Sequence, residues 1–368
     1  MPSSAFASTF GSASTFGSAS ASAARPPLLV ADLGGTNARF GLIADGRLLC
    51  SAVLACADFS GPAAAAESFL AVHGREVPRP CLAALAIATA FAGDRIEMVN
   101  NAWSYSLEET RCRLGLGRLE AVNDFTAVAL AVPRLASQDR RRLGGGEPVA
   151  GTPVAVIGPG TGLGASGLIP AGNGWAALTG EGGHTTLPAA DEREAAVLAV
   201  LRERFGHVSA ERVISGPGLV NLYAALAELD RRRGPSLPGP SLPGPSLSAA
   251  EITAAALAGS DERCGEVVAM FCAMLGTVAG NLALTLGARG GLYLAGGIVP
   301  RLGPVFDRSR FRERFEAKGR LAGWLAAVPC WVITHPLPAF LGLEGLLQPI
   351  PDQTLTPDQT LTMETLGA

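Results

Sequence analysis

The chain has 368 residues, with 29 Lys+Arg against 32 Asp+Glu; a formal charge of −3 leaves no basic surplus for a phosphate backbone and excludes nucleic acid as the expected partner. Charged residues make up 17% and AVILMFWYC 48%, which excludes chain-wide disorder and suits two domains or one large α/β unit at roughly 150 residues per domain. The only lysine, Lys318, is followed by Gly319, so a Walker A loop with its Gly-Lys-Ser/Thr is excluded as well.

Residues 1–26 read as a disordered tail: Ser-Thr-Phe-Gly-Ser-Ala occurs twice, at 8–13 and 14–19, without a continuous apolar run, and the first basic residue is Arg25. The lack of a signal or transit pattern implies a cytoplasmic protein. An apolar strand is expected over residues 28–32, then the turn Gly34-Gly35-Thr36-Asn37, a strand over 39–44, an Asp45-Gly46 hairpin and a strand over 48–54. A helix over 62–72 follows, with Pro62 in its first turn and Gly74 beyond its end, then a buried strand over 82–89 and a short one near Ile96. Ser106-x-x-Glu109 is a capping box opening a helix. A strand over 119–122 carries Asn123-Asp124 at its carboxyl end, ahead of a helical stretch over 125–135. The opening device then recurs: a strand over 153–157, a glycine turn from Gly158 to Gly164, a strand through Leu168 and a hairpin at Trp175.

Two halves that each begin strand, glycine turn, strand imply a duplicated two-domain α/β architecture with a cleft between the domains, over residues 27–137 and 138–348. The Gly-Pro-Ser-Leu repeats within 234–248 read as a surface loop, and the doubled Pro-Asp-Gln-Thr-Leu-Thr within 349–368 as a second disordered tail. The uncharged stretch 267–288 is long enough to span a bilayer and contains Gly276-x3-Gly280, but Thr277, Asn281 and Thr285 and the lack of a second span favour a buried helix. Seven cysteines without C-x2-C spacing read as buried reduced thiols.

Gly34-Gly35-Thr36 and Gly160-Thr161-Gly162 each offer a backbone without Cβ, consecutive N–H groups and a hydroxyl, the makings of an anion nest; each is equally a tight hairpin. Asp32, a carboxylate on an apolar strand beside the first turn, suits Mg²⁺ directly or through its water shell, or else an N–H-capping role. Gly162-x-Gly164-x-x-Gly167 formally matches a dinucleotide fingerprint, yet it leads into a strand instead of a helix, which argues against a dehydrogenase. Asp124 at a strand end suits a general base or a helix N-cap. Glu181 and His184 in Thr179-Gly-Glu-Gly-Gly-His184, with Glu211, offer the acceptors and donors a polyhydroxylated sugar needs; the alternative is a surface Glu211 paired with Arg212 and an ordinary loop His184.

Taken together, Leu33-Gly-Gly-Thr-Asn-Ala-Arg39, Val122-Asn-Asp-Phe-Thr-Ala-Val128, the turn Gly158 to Gly164, Gly180-Glu-Gly-Gly-His184, the segment Ser209 to Tyr223 and Ala295-Gly-Gly-Ile-Val-Pro-Arg301 resemble the bacterial glucokinase family of the proteobacterial type, in order from about residue 28 to 347. The resemblance implies an actin-like (ribonuclease H-like) sugar kinase fold, a homodimer, and phosphorylation of the glucose 6-hydroxyl with ATP and Mg²⁺. It implies that Ala31, Asp32, Leu33, Gly34, Gly35 and Thr36, with Gly160, Thr161 and Gly162, hold phosphates, and that Gly296 and Gly297 border the adenosine. It gives Asp124 the base role, Asn123, Glu181, His184 and Glu211 the sugar hydroxyls, and Asp32 the metal. Ala31, where Gly is frequent, and residues 90–94, which lack a frequent proline, depart from the pattern. A kinase for mannose or glucosamine is the nearest alternative; a sugar-sensing regulator is another, although residues 1–25 are no helix-turn-helix.

Overall fold

The computed structural model describes residues 26–89, 92–172, 174–233 and 247–347. The doubled segments at 8–19, 234–246 and 351–362 lie outside them. Strand β1 (Leu28–Leu33) pairs antiparallel with β2 (Asn37–Ala44), and β2 with β3 (Arg47–Ala55). Asp45 and Gly46 both adopt positive φ, 49° and 74°, as a two-residue hairpin between right-twisted strands requires. Helix α1 (Pro62–His73) starts on its proline and stops at Gly74. Strand β4 (Leu82–Ile87) runs parallel to β1; it ends before the expected residue 89 because the Thr89 amide turns back onto the Ile87 carbonyl. A small ribbon of β5 (Arg95–Glu97) and β6 (Ser104–Ser106) leads into α2 (Leu107–Leu114). Only half of the expected capping box forms: the Glu109 amide donates to Ser106 Oγ, while Asp94 takes the Glu108 amide. Strand β7 (Arg118–Asn123) completes a five-stranded sheet ordered β3-β2-β1-β4-β7. Helix α3 (Asp124–Ala131) ends short of residue 135 because Pro133 has no amide to continue it, and a 3-10 turn follows.

The second sheet repeats that order. It contains β8 (Arg140–Gly144), β9 (Val154–Pro159), β10 (Leu163–Ala171), β11 (Gly174–Leu178), β12 (Gly291–Leu294) and β13 (Cys330–Ile333), arranged β11-β10-β9-β12-β13-β8. Between β11 and β12 come α4 (Glu192–Phe205), α5 (Gly216–Arg233), α6 (Ala249–Ala258) and α7 (Glu262–Leu286). After β12 come α8 (Ile298–Leu302), α9 (Pro304–Asp307), α10 (Phe311–Glu316) and α11 (Ala322–Ala326); α12 (Pro338–Leu347) follows β13.

Strand alternation sorts the cores into layers. In β1, Leu29, Ala31 and Leu33 face α1 and α2, whereas Leu28 and Val30 face α12, whose Ala339, Phe340, Leu343 and Leu347 return the chain to the first sheet. In β9, Val154 and Val156 face α3 through Ala129 and Val132, while Ala155 and Ile157 join the large core under α4 to α7. Helices α3 and α12 thus form a central layer between two sheets whose outer faces carry the other helices.

Helix α7 is long and apolar enough to cross a membrane, yet it is the buried spine of the second core. Gly276 and Gly280 do not serve a membrane dimer: Cβ atoms there would stand 2.2 and 2.5 Å from the carbonyls of Phe311 and Phe315, so the glycine pair seats α10. Arg314 of α10 reaches past it to a buried bidentate pair with Glu194 and to Thr277. The cysteines are free thiols, but not all are buried as expected: Cys81, in the loop before β4, and Cys112, beside Glu108 and Arg111 on α2, are exposed, and Cys50 is half-buried.

Candidate active site

The carboxyl ends of β1, β4 and β7 finish in step, with Leu33 beside Ile87 and Ile87 beside Asn123. That register sets Asp32 and Asp124 near one rim, one intervening strand apart. By alternation Asp32 follows Leu28 and Val30 onto the inter-sheet side, opposite Arg39 of β2. Burial pushes the Asp32 carboxyl up and the Arg39 charge pulls it back. Asp124 is pushed up to about 6, first by burial, then by the negative charges of Asp32 and Glu181, against the hydrogen bond from the Phe125 amide. Three acids of the expected site therefore share one electrostatic field.

Asp124 is not the helix N-cap. That position belongs to Asn123, whose Oδ1 accepts from the amides of Phe125 and Thr126 at 2.9 and 3.3 Å. Capping leaves the Asn123 amide NH2 without a partner among the described residues, free for an external acceptor.

The first glycine turn is the β1–β2 hairpin, closed by the Gly34 amide on the Asn37 carbonyl at 3.0 Å. Ala31 and Leu33 are fully buried in the outer core, so their side chains point away from the turn and only their backbone serves it. Gly35 is required by a neighbour: a Cβ would stand 2.6 Å from Asn100 Cβ. Thr36 is exposed at the tip.

In the second turn most glycines are likewise dictated by packing. Cβ atoms at Gly158 and Gly164 would meet the Phe125 ring at 2.9 and 2.1 Å, and one at Gly162 would meet Glu211 Oε2 at 2.4 Å. Gly160 faces open space, with its carbonyl accepting from the Gly216 amide and Thr161 exposed beside it. Gly296, at φ +80°, passes so close to Pro159 that a Cβ would lie 2.3 Å from its carbonyl, which joins the exposed Gly296-Gly297 turn to the second glycine turn. Since Gly164 and Gly167 lie within β10, paired antiparallel to β9, the dinucleotide fingerprint has no helix to open.

Glu211 and His184 converge: the Glu211 carboxylate accepts from the Leu163 amide at 2.9 Å, its other oxygen lies 4.0 Å from His184 Nε2, and its amide donates to the Gly183 carbonyl. Arg212 is not its partner, because that guanidinium stacks over Phe205 at 4.5 Å. Gly183 lets the loop close on β10, where a Cβ would come within 2.0 Å of the Leu163 carbonyl. Glu181 and the His184 side chain are exposed on this loop.

Three contributors escaped sequence reasoning. Phe125, whose ring fills the space above Gly158 and Gly164, reads as an ordinary apolar helix residue. Arg39 faces Asp32 only through strand register. Asn101 donates to the Gly34 carbonyl from a loop 67 positions away, and its only local trace is the Asn100-Asn101 pair between two short strands.

Comparison with known proteins places this arrangement in a family. The family model described as Glucokinase matches residues 29–349. A glucokinase of Paramagnetospirillum magneticum is 53% identical over 322 residues, 87% of this chain and 97% of the relative. Among solved structures, a glucokinase from an Antarctic psychrotroph is 35% identical at a TM-score of 0.77, covering 87% of this chain and 98% of its own. The Balamuthia mandrillaris glucokinase in complex with glucose shares the fold at 21% identity and a TM-score of 0.70, over 88% of this chain and 92% of its own. With nearly the whole described body matched by one family model and half its residues identical to a curated relative, the chain belongs to the glucokinase family.

Proposed function

We propose that the chain transfers the γ-phosphoryl group of ATP to the 6-hydroxyl of D-glucose, giving glucose 6-phosphate, on an actin-like two-domain scaffold. The observation that carries this reading is Asp124: a half-buried carboxyl at a strand end, pushed up to about 6, in the field of Asp32 beside the first glycine turn and followed by Phe125, which packs on the second. Its carboxylate accepts the 6-hydroxyl proton as the oxygen attacks, and helix α3 holds it there through the Asn123 cap. Phosphoryl transfer asks little covalent chemistry of a protein, so positioning and charge stabilisation supply most of the rate. The amides and hydroxyls of Gly34 to Thr36 and Gly160 to Gly162 take the phosphates, and Gly296-Gly297 borders the adenosine. Asn123, Glu181, His184 and Glu211 take the sugar hydroxyls.

Among the described residues no three His, Cys, Asp or Glu form a cage for a metal. Mg²⁺ at a nucleotide needs none, because it keeps several waters and binds through one or two carboxylates plus phosphate oxygens. Asp32 fits that role: its carboxylate lies on β1 just before the first glycine turn, opposite Arg39, and its charge acts on the Asp124 carboxyl. Bound there, Mg²⁺ supplies charge neutralisation for the phosphates. Water is a competing nucleophile, so closure of the two lobes around a satisfied sugar protects the donor. The lobes we assign are residues 27–137 with α12, and 138–337; a cytoplasmic homodimer completes the proposal.

The test is a coupled assay of glucose, mannose and glucosamine against ATP, ADP and polyphosphate. Glucose with ATP is expected to give the highest kcat/KM. Preference for another hexose would overturn the substrate, and absence of turnover would favour a sensor.

A further inference from the structure

The Gly34-Gly35-Thr36 turn is braced from behind by residues outside those assigned to phosphate or sugar. The Gly34 carbonyl accepts from Asn101 Nδ2 at 3.2 Å and from Cys56 Sγ at 3.6 Å. The Cys56 amide donates to the Thr36 carbonyl at 2.8 Å. The brace is itself anchored: Asn101 Oδ1 accepts the Trp103 amide at 2.9 Å, and the buried Trp103 indole donates to the Cys56 and Phe59 carbonyls at 3.2 and 2.9 Å. A backbone N–H on one side and a carbonyl on the other leave the Asn101 amide a single orientation that satisfies both.

The described residues contain no cis peptide bond. In a trans peptide the carbonyl and the following N–H lie in one plane and point opposite ways. Holding the Gly34 carbonyl toward Asn101 and Cys56 therefore turns the Gly35 N–H the other way, away from the brace. That N–H has no acceptor among the described residues. Glycine on both sides would otherwise let this peptide rotate, because it resists little at φ and ψ.

We infer that Asn101 is a positioning residue for phosphoryl transfer, which locks the Gly34–Gly35 peptide so that the Gly35 amide is pre-aimed at the donor's phosphates. The inference rests on the proposed role of this turn and adds the residue that sets its geometry. A preorganised donor needs no reorganisation when charge develops on the phosphate oxygens, which is where such amides contribute to rate.

Asn101→Asp tests it almost isosterically: the acceptor for the Trp103 amide is kept, while the donor to Gly34 becomes an oxygen that repels that carbonyl. The expected result is a fall in kcat/KM for ATP of about tenfold or more, with KM for glucose within about twofold of the parent. Affinity for a non-hydrolysable ATP analogue should fall while affinity for adenosine holds, a split that general loosening of the fold does not produce. Asn101→Ala, which removes the donor without adding charge, should show the same split to a smaller extent and serves if the Asp variant does not fold. Unchanged ATP parameters in the folded variants, or parallel losses for glucose, adenosine and ATP, would overturn the inference. A parent chain that fails to phosphorylate glucose overturns the proposed function instead, and the comparison of analogue with adenosine still decides the positioning role.

Discussion

Asp124, the proposed base, couples its assigned role to a stability cost. Its carboxyl titrates near 6 in the folded chain, against a usual value of 3.8, because burial and the charges of Asp32 and Glu181 disfavour ionisation. Between those values the folded state binds more protons than the unfolded one, so this residue's contribution to stability falls as pH rises from about 4 to about 6. Asp124→Asn should therefore melt higher than the parent at about pH 7.5, with the gap closing by about pH 4 in a series of thermal scans. The same substitution should lower kcat on the order of 10²-fold while glucose binding persists; near-parental turnover would remove Asp124 from the base role. At the loop proposed to hold the sugar, Glu211→Gln and His184→Ala should raise KM for glucose well above any change in KM for ATP and narrow the preference for glucose over mannose. An unpaired buried polar group costs about 1–3 kcal/mol, and these variants lower that penalty for a misplaced hydroxyl.

Among elements, α7 separates two kinds of glycine that look alike in sequence. Gly276 lies against the Phe311 backbone and Gly265 faces open space in the same helix. Gly276→Ala should destabilise by about 1–3 kcal/mol, because a carbonyl of α10 must move to admit the methyl. Gly265→Ala should stabilise by about 0.5–1 kcal/mol, through helix propensity with no clash. Opposite shifts in thermal midpoint check both at once. The second glycine turn follows the same logic: Gly158 and Gly164 make room for Phe125 and Gly162 makes room for Glu211, so only Gly160 keeps an open approach.

At the scale of the molecule, the chain crosses between sheets twice, through α3 and through α12. Phe340 and Leu343 of α12 cover the inner face of the first sheet beside Val30 and Ala84. Residues 27–137 expressed alone should fail to fold cooperatively, since α12 is missing from that face and only α3 is left to cover it. Truncation after residue 337 should lower the thermal midpoint severely or abolish soluble protein, whereas truncation after 348 should leave it nearly unchanged. A stable, cooperatively melting 27–137 fragment would show that α12 is dispensable.

Local order was legible in the amino-acid sequence. The hairpin at Asp45-Gly46, the proline start of α1, the Ser106 cap and the repeated strand, turn, strand opening all rest on dihedral limits and neighbouring hydrogen bonds, which a short segment carries within itself. Asp32, Asp124, Glu181, His184 and Glu211 were legible as candidates, because ionisable side chains beside strand ends and in glycine loops are rarely there for packing. Tertiary structure alone decided that Asn123 and not Asp124 caps α3, that Glu211 turns to Leu163 and His184 and not to Arg212, and that Asn101 braces Gly34. Each of those outcomes is a choice between partners that differ by little in local energy. Strand register and helix packing make the choice by bringing together residues tens of positions apart, and no short stretch of sequence contains that information.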